Sequence, residues 1–185
     1  MQTLTEKRVF GDKRGTTEVF VASETGLVGV SVSADQIGEF GLAHRGPVAT
    51  VAASDRGVLI GTDDDIYHSS PTDAAAERAQ SRTFEPVDAP IGTADAVGWG
   101  PEGAVAAGDD RLVGRVDDEW IDLGEIATVR AVDGGLIAAA DGVYRVTEAG
   151  VEYVGLDDVR DVAGHGRPLA ATADGLFRLG NGWQS

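Results

Sequence analysis

The sequence contains no cysteine, and Lys7 and Lys13 are the only lysines among its 185 residues. Without cysteine the chain has no disulfide bond, no thiolate metal site and no thiol nucleophile. No apolar run approaches the roughly 18 residues that a membrane-spanning helix needs. The amino terminus, MQTLTEKRVFGDKR, is charged throughout and lacks the apolar core of a secretory signal. These absences predict a cytoplasmic protein.

Basic charge is scarce as well, because 15 Lys and Arg residues stand against 31 Asp and Glu residues, for a net charge of −16. Such a surface repels phosphate backbones and anionic lipids, so we expect neither a nucleic acid nor a membrane as partner. An acidic, lysine-poor surface is typical of halophilic proteins, whose carboxylates keep them soluble in concentrated salt. The alternative is a surface that recruits a basic partner. We favour the first interpretation.

Motifs of catalysis and cofactor binding are also missing from the sequence. GWGPEG, at residues 98–103, lacks the lysine and the following helix of a phosphate-binding loop. No Gly-x-Ser-x-Gly nucleophile motif occurs. His44, His68 and His165 lie in separate connections, without a second His or a Glu at a metal-binding spacing. We therefore predict no catalytic residue, no metal ion and no cofactor.

An internal repeat organises the chain. GLIAAADGVYRV (Gly135–Val146) returns in the same register as PLAATADGLFRL (Pro168–Leu179), and weaker copies lie at 20–29, 59–68 and 104–114. Each copy is an apolar run, a polar turn and a second apolar segment, which predicts a β-hairpin. Equivalent positions of the five copies are 39, 45, 32 and 33 residues apart, a spacing typical of solenoids and propellers.

Each hairpin is preceded by another strand that ends in a turn and is followed by an alternating polar and apolar strand. These four strands, a, b, c and d from inner to outer, are the blade of a β-propeller. The sequence therefore predicts an all-β fold: a single β-propeller domain over residues 1–185, with about five four-stranded antiparallel blades. The longest interval is explained by a peripheral insertion at about residues 69–82.

The two ends of the chain leave the number of blades open. The last blade runs out where its fourth strand begins, near Trp183, whereas Thr5–Phe10 is a spare strand ahead of the first hairpin. Either this strand pairs with the last blade and closes a five-bladed ring, or the chain is an incomplete part of a larger propeller. We favour closure, since an open array leaves unpaired edges.

The phrases GVLIGTDDDIYH, GLIAAADGVYR and PLAATADGLFR resemble the blades of two-component-regulator and YVTN-like propellers. Together with the acidity and the scarce lysine, the chain is similar to small uncharacterised propeller proteins of halophilic archaea. This resemblance implies an architecture and a binding role, and it implies no catalytic residues.

Two groups of residues are candidates for binding. Alignment of the a strands places Asp95, Arg130 and Arg160 at one position near the central channel, where they either clamp an anionic ligand or neutralise one another and nearby turns. The b–c turns and d–a connections emerge together at one rim, whose candidates are His44, Arg45, Asp64, Asp109, Asp141 and Asp174. Carboxylates there suit Ca²⁺ or Mg²⁺, but tight turns also demand Asp. We favour the structural interpretation of both groups.

Three functions are compatible with this sequence. The favoured hypothesis is a non-catalytic binding or scaffold propeller that presents one rim to a protein partner. The alternatives are a metal-dependent propeller hydrolase or lyase and a sensor module for a small anionic ligand.

Overall fold

The computed structural model describes residues 17–33, 36–71, 82–126 and 128–185. The spare strand at Thr5–Phe10 and residues 72–81 of the insertion lie outside the described residues. Every regular element in the described ranges is a β-strand. None of these ranges contains a helix long and apolar enough to cross a membrane.

The strands form five antiparallel sheets, each a meander of consecutive strands. Blade 1 contains β1 (Thr17–Ser23), β2 (Gly26–Ser33) and β3 (Gln36–Arg45). Blade 2 contains β4 (Thr50–Ser54), β5 (Gly57–Gly61), β6 (Ile66–Ser69) and β7 (Glu85–Pro86). Blade 3 contains β8 (Ala96–Trp99), β9 (Ala104–Gly108), β10 (Arg111–Val116) and β11 (Glu119–Glu125). Blade 4 contains β12 (Val129–Asp133), β13 (Leu136–Ala139), β14 (Gly142–Thr147) and β15 (Gly150–Gly155). Blade 5 contains β16 (Val159–Ala163), β17 (Leu169–Thr172), β18 (Gly175–Leu179) and β19 (Trp183–Gln184).

The b strands of the central blades are buried on both faces, which explains their uninterrupted apolar sequences. GVLIG in β5, AVAAG in β9 and LIAA in β13 are fully buried. Small residues also let the inner a strands of neighbouring blades approach closely. At Gly98 in the a strand β8, an added Cβ would lie 2.3 Å from the carbonyl oxygen of Val132 in the next a strand.

Apolar clusters fill the space between each pair of neighbouring blades. In chain order, the four clusters contain Leu27 and Ile60, then Leu59 and Val113, then Leu112 and Ile137, then Val143 and Ala170. The a strands pack side by side in the order β4, β8, β12 and β16. Sheets that stack face to face around a line of inner strands form a β-propeller, as the sequence predicted.

Blade 1 shows three strands in the described residues, and they correspond to b, c and d of the other blades. The c–d pairing of blades 1, 3 and 4 shifts register directly after Leu27, Leu112 and Val143, and these three side chains are fully buried. The β2–β3 pair is therefore the c–d pair of blade 1, and β1 is its b strand. The inner position of blade 1 and the predicted ring closure through Thr5–Phe10 lie outside the described residues, so closure stays a prediction.

The outermost faces of the array are open in the described residues. We call the side of each blade that faces the next blade in the chain its front. Val143, on the front of blade 4, is 0% exposed, whereas Leu176, at the same repeat position in blade 5, is 61% exposed. On the opposite side of blade 1, Val19 is 42% and Val21 is 49% exposed. Packing against the next blade therefore buries this repeat position in blade 4, whereas the same position in blade 5 stays exposed.

Candidate functional site: the a–b rim across blades 2 to 4

The two rims of the propeller differ in the hydrogen-bond partners of their polar side chains. We call the rim formed by b–c turns and d–a connections the b–c rim, and the rim formed by a–b and c–d turns the a–b rim. The b–c rim holds the turn aspartates predicted from the sequence. Two of their carboxylates make bonds in their own hairpins: Asp64 accepts from the Thr62 hydroxyl at 2.5 Å and Asp141 from the Tyr144 hydroxyl at 2.7 Å. Asp109 accepts from the N–H of Gly92, 17 residues earlier in the chain, at 3.2 Å. At Asp174 the bond is made by the backbone, whose N–H donates to the Thr172 hydroxyl at 3.0 Å.

These local bonds have chemical consequences. The hydrogen bond to Asp141, together with burial, raises the pKa of Tyr144 to about 12. No three His, Asp or Glu side chains of the described ranges come together in a way that would hold a metal ion. The Ca²⁺ or Mg²⁺ alternative for this rim stays a hypothesis.

His44 and Arg45 end β3, next to the b–c rim. The His44 ring packs against Tyr67, with ring centroids 5.1 Å apart, and edge-on against Phe84 at 5.7 Å. His44 is thus part of the aromatic packing between blades 1 and 2, whereas Arg45 is exposed.

The channel candidates lie at one end of three neighbouring a strands. Arg130 and Arg160 each stand where the a–b pairing shifts register. The Arg130 Nη1 donates to Asp158 at 2.7 Å and to the Val159 carbonyl at 2.9 Å. The bond to Asp158, with a smaller contribution from the charge of Arg160, lowers the pKa of Asp158. The structure therefore pairs Arg130 with Asp158. The Asp95 side chain makes no hydrogen bond with either arginine in the described part of the chain.

The a–b rim carries a groove between blades 2 and 3, made of two adjoining cavities of about 500 and 290 Å³ that share His68, Arg115 and Asp118. Arg56 crosses from blade 2 and donates to the carbonyls of Gly100 and Pro101, both at 2.9 Å. Its guanidinium lies over the Trp99 ring, 5.8 Å from the centroid. Blade 2 thus holds the a–b turn of blade 3 in place.

His68 completes this contact. Its Nε2 lies 3.0 Å from the Arg56 carbonyl oxygen, and its ring meets Trp99 edge-on at 5.5 Å. Trp99 is only 9% exposed, and its indole N–H has no acceptor among the described residues. A buried donor without a partner costs free energy, and the Trp99 indole nitrogen is itself closed to solvent.

Carboxylates line the mouth of the groove. Asp117 and Asp118 form the c–d turn of blade 3, with φ of 50° and 66°, and this tight turn leaves the Asp118 side chain 93% exposed. Arg115 lies 3.4 Å from Asp118, whereas Asp117, Glu85 and Glu102 have no hydrogen-bond or ion-pair partner in the described residues. The charge that the groove offers to a ligand is therefore negative.

A second, more apolar pocket of about 250 Å³ opens on the same rim between blades 3 and 4. Its apolar lining consists of Pro101, Val105, Val116, Ile121, Leu123 and Val146. Ile121 is 44% exposed at this pocket. Glu102 and Arg115 line both this pocket and the groove, so the two depressions adjoin.

Sequence reasoning missed the a–b rim. GWGPEG matches no binding motif, and no local pattern distinguishes Arg56 or Arg115 from other surface arginines. The available signal was weak: a Trp and a Glu in GWGPEG, with an Arg one hairpin later. The contacts that form the groove join Arg56 to residues 44 and 45 positions away, which no local pattern reveals.

Meander sheets that pack radially define the class of this protein as a β-propeller. The model of the HVO_0234-like beta-propeller family matches residues 3–185, and the chain belongs to that family. No curated protein matches the sequence.

Solved structures share the fold at low identity. PorZ, a surface component of the type-IX secretion system of Porphyromonas gingivalis, is 19% identical with a TM-score of 0.65, over 90% of this chain and 24% of PorZ. The WD40 propeller domain of Doa1 is 16% identical with a TM-score of 0.60, over 91% of this chain and 62% of that one. A chain of the mitotic checkpoint complex is 13% identical with a TM-score of 0.54, over 87% and 60%. The protein therefore spans between about a quarter and three fifths of these chains, and the likeness shows the fold alone.

Proposed function

We propose that this protein is a non-catalytic binding propeller that presents its a–b rim to a protein partner. The observation that carries the proposal is the continuous depression across blades 2 to 4, where free carboxylates and an apolar pocket adjoin. An apolar pocket with a few polar groups around it is the usual form of an anchor site in protein recognition.

The b–c rim is a weaker candidate for the same role. The carboxylates of Asp64, Asp109 and Asp141 already accept hydrogen bonds, and His44 packs between two blades. Polar groups that already have partners gain little from a ligand, because each new bond replaces an existing one. Among the structural neighbours, the chain of the mitotic checkpoint complex comes from a protein assembly, which supports a binding role.

The test is capture of the partner with matched surface variants. Tagged protein is cross-linked reversibly in extracts of its own cells, purified and analysed by mass spectrometry. We expect one stoichiometric partner, which Ile121→Glu removes because it places a charge in the blade 3–4 pocket. Leu176→Glu is the control, since it changes an exposed apolar residue of blade 5 that does not line this pocket.

Circular dichroism confirms that both variants fold. A partner that survives Ile121→Glu, or that is lost only with Leu176→Glu, would refute the assignment to the a–b rim. Recovery of the protein alone would count against a binding propeller altogether.

A further inference from the structure

Resting on the proposed function, we infer that the segment bound at the a–b rim is an extended peptide with one aliphatic or aromatic side chain and one Lys or Arg about three residues away. The apolar side chain enters the pocket between blades 3 and 4. The basic side chain enters the groove between blades 2 and 3.

The pocket between blades 3 and 4 selects an apolar anchor. Its volume of about 250 Å³ suits a single side chain, and its walls are mainly aliphatic. Filling it would also cover Ile121, whose exposed surface is otherwise in contact with water. Burial of apolar area from both partners favours binding, and one such anchor commonly supplies much of the affinity.

The groove between blades 2 and 3 favours a cation, because four carboxylates line it against two arginines. Arg56 is bound to two carbonyls. Arg115 lies beside Asp118, and its buried Nε has no acceptor in the described residues. Glu102 and Asp117, by contrast, keep free carboxylates. A basic side chain placed between them gains charge-assisted hydrogen bonds without displacing an existing pair.

The two adjoining depressions together favour a peptide over a free inorganic cation. An inorganic cation would contact only the carboxylates of the groove and would leave the apolar pocket open to water. One extended segment supplies both an apolar and a basic side chain.

The geometry of the blades sets the spacing of the two side chains. Neighbouring sheets pack about 10 Å apart, and an extended chain rises about 3.3 Å per residue, so two successive inter-blade depressions are about three residues apart. Glu102 and Arg115 form the ridge between the depressions, because both line each of them. The peptide would therefore cross the rim of blade 3.

A displayed random-peptide library, selected on the full-length protein, tests the inference. We expect enriched sequences to share an apolar residue and a Lys or Arg about two to four positions apart. Synthetic peptides from the selection, measured by fluorescence anisotropy, should bind at least about tenfold more weakly to Ile121→Glu. The double variant Glu102→Gln, Asp117→Asn should weaken binding similarly and reduce its dependence on salt.

Asp174→Asn, on the b–c rim, is the matched control and should bind as the wild type does. Enrichment of peptides without the basic residue, binding unchanged in the rim variants, or no enrichment at all would overturn the inference. The proposed function fails separately, when the native partner survives Ile121→Glu.

Discussion

Val143 and Leu176 occupy the same repeat position, yet the structure predicts opposite costs for shortening them. Val143 is fully buried between blades 4 and 5, whereas Leu176 is 61% exposed on the front of blade 5. Val143→Ala removes two buried carbons, which costs about 1.6 kcal/mol of transfer free energy and, with the cavity that remains, about 2 to 3 kcal/mol. Leu176→Ala removes three carbons and should cost only about 0.5 kcal/mol.

Equilibrium unfolding in urea, followed by tryptophan fluorescence, measures both free energies of unfolding. The signal is suitable because Trp183 packs against the cluster between blades 4 and 5. The slopes of the two transitions must agree with the wild type for the comparison to hold. A Leu176→Ala cost equal to that of Val143→Ala would refute the reasoning, since it would mean that the front of blade 5 is covered in solution.

Three further perturbations test individual contacts. Gly98→Ala should lower the free energy of unfolding by about 2 kcal/mol or more, because its Cβ would lie 2.3 Å from a carbonyl oxygen, whereas Gly180→Ala should change it by less than about 0.5 kcal/mol in urea unfolding. The pKa of Tyr144, raised from 10.0 to about 12, means that the folded state holds this proton more tightly. Its stabilisation is therefore lost as the pH rises from about 10 to about 12, and Tyr144→Phe should flatten that part of the thermal-unfolding profile. Because Arg130 lowers the pKa of Asp158 below 3.8, that stabilisation is present at neutral pH and is lost in acid; Arg130→Met should raise the Asp158 pKa in an NMR titration.

Each of these predictions has an outcome that contradicts it. Wild-type stability of Gly98→Ala would show that the inner strands have room to separate. An alkaline profile unchanged by Tyr144→Phe would remove the hydrogen bond to Asp141 as the cause of the raised pKa. An Asp158 titration unaffected by Arg130→Met would show that the two side chains are not paired in solution.

The fold was largely predictable because the repeat encodes it in local patterns. The two clearest hairpins pair in equivalent registers, with Ile137 opposite Tyr144 and Ala170 opposite Phe177. Alternation, turn residues and spacing are properties of neighbouring residues, so the sequence displays them directly. The d strand of blade 2 is the short segment Glu85–Pro86, and directly after it the Val87 N–H still donates to the Ile66 carbonyl of the c strand at 3.0 Å.

The site was less predictable because Asp-rich turns can reflect either ligand binding or the backbone geometry of the turn. Asp109 and Asp110 adopt φ of 54° and 59°, a conformation that favours Asp, Asn and Gly in tight hairpin turns. Their abundance at the b–c rim therefore reflects backbone geometry at least in part. The groove on the a–b rim depends instead on which blades become neighbours, and a single pattern in the sequence contains no such information.

The open front of blade 5 also has a consequence for local opening. In an array whose units touch only their neighbours, stability is approximately a sum of unit and nearest-neighbour contributions. Blades 3 and 4 are held on two sides, whereas the described residues hold blade 5 on one. Amide protons of β17 and β18 should therefore exchange with solvent deuterium faster than those of β9 and β13, so that the molecule frays from its last blade while its centre stays intact.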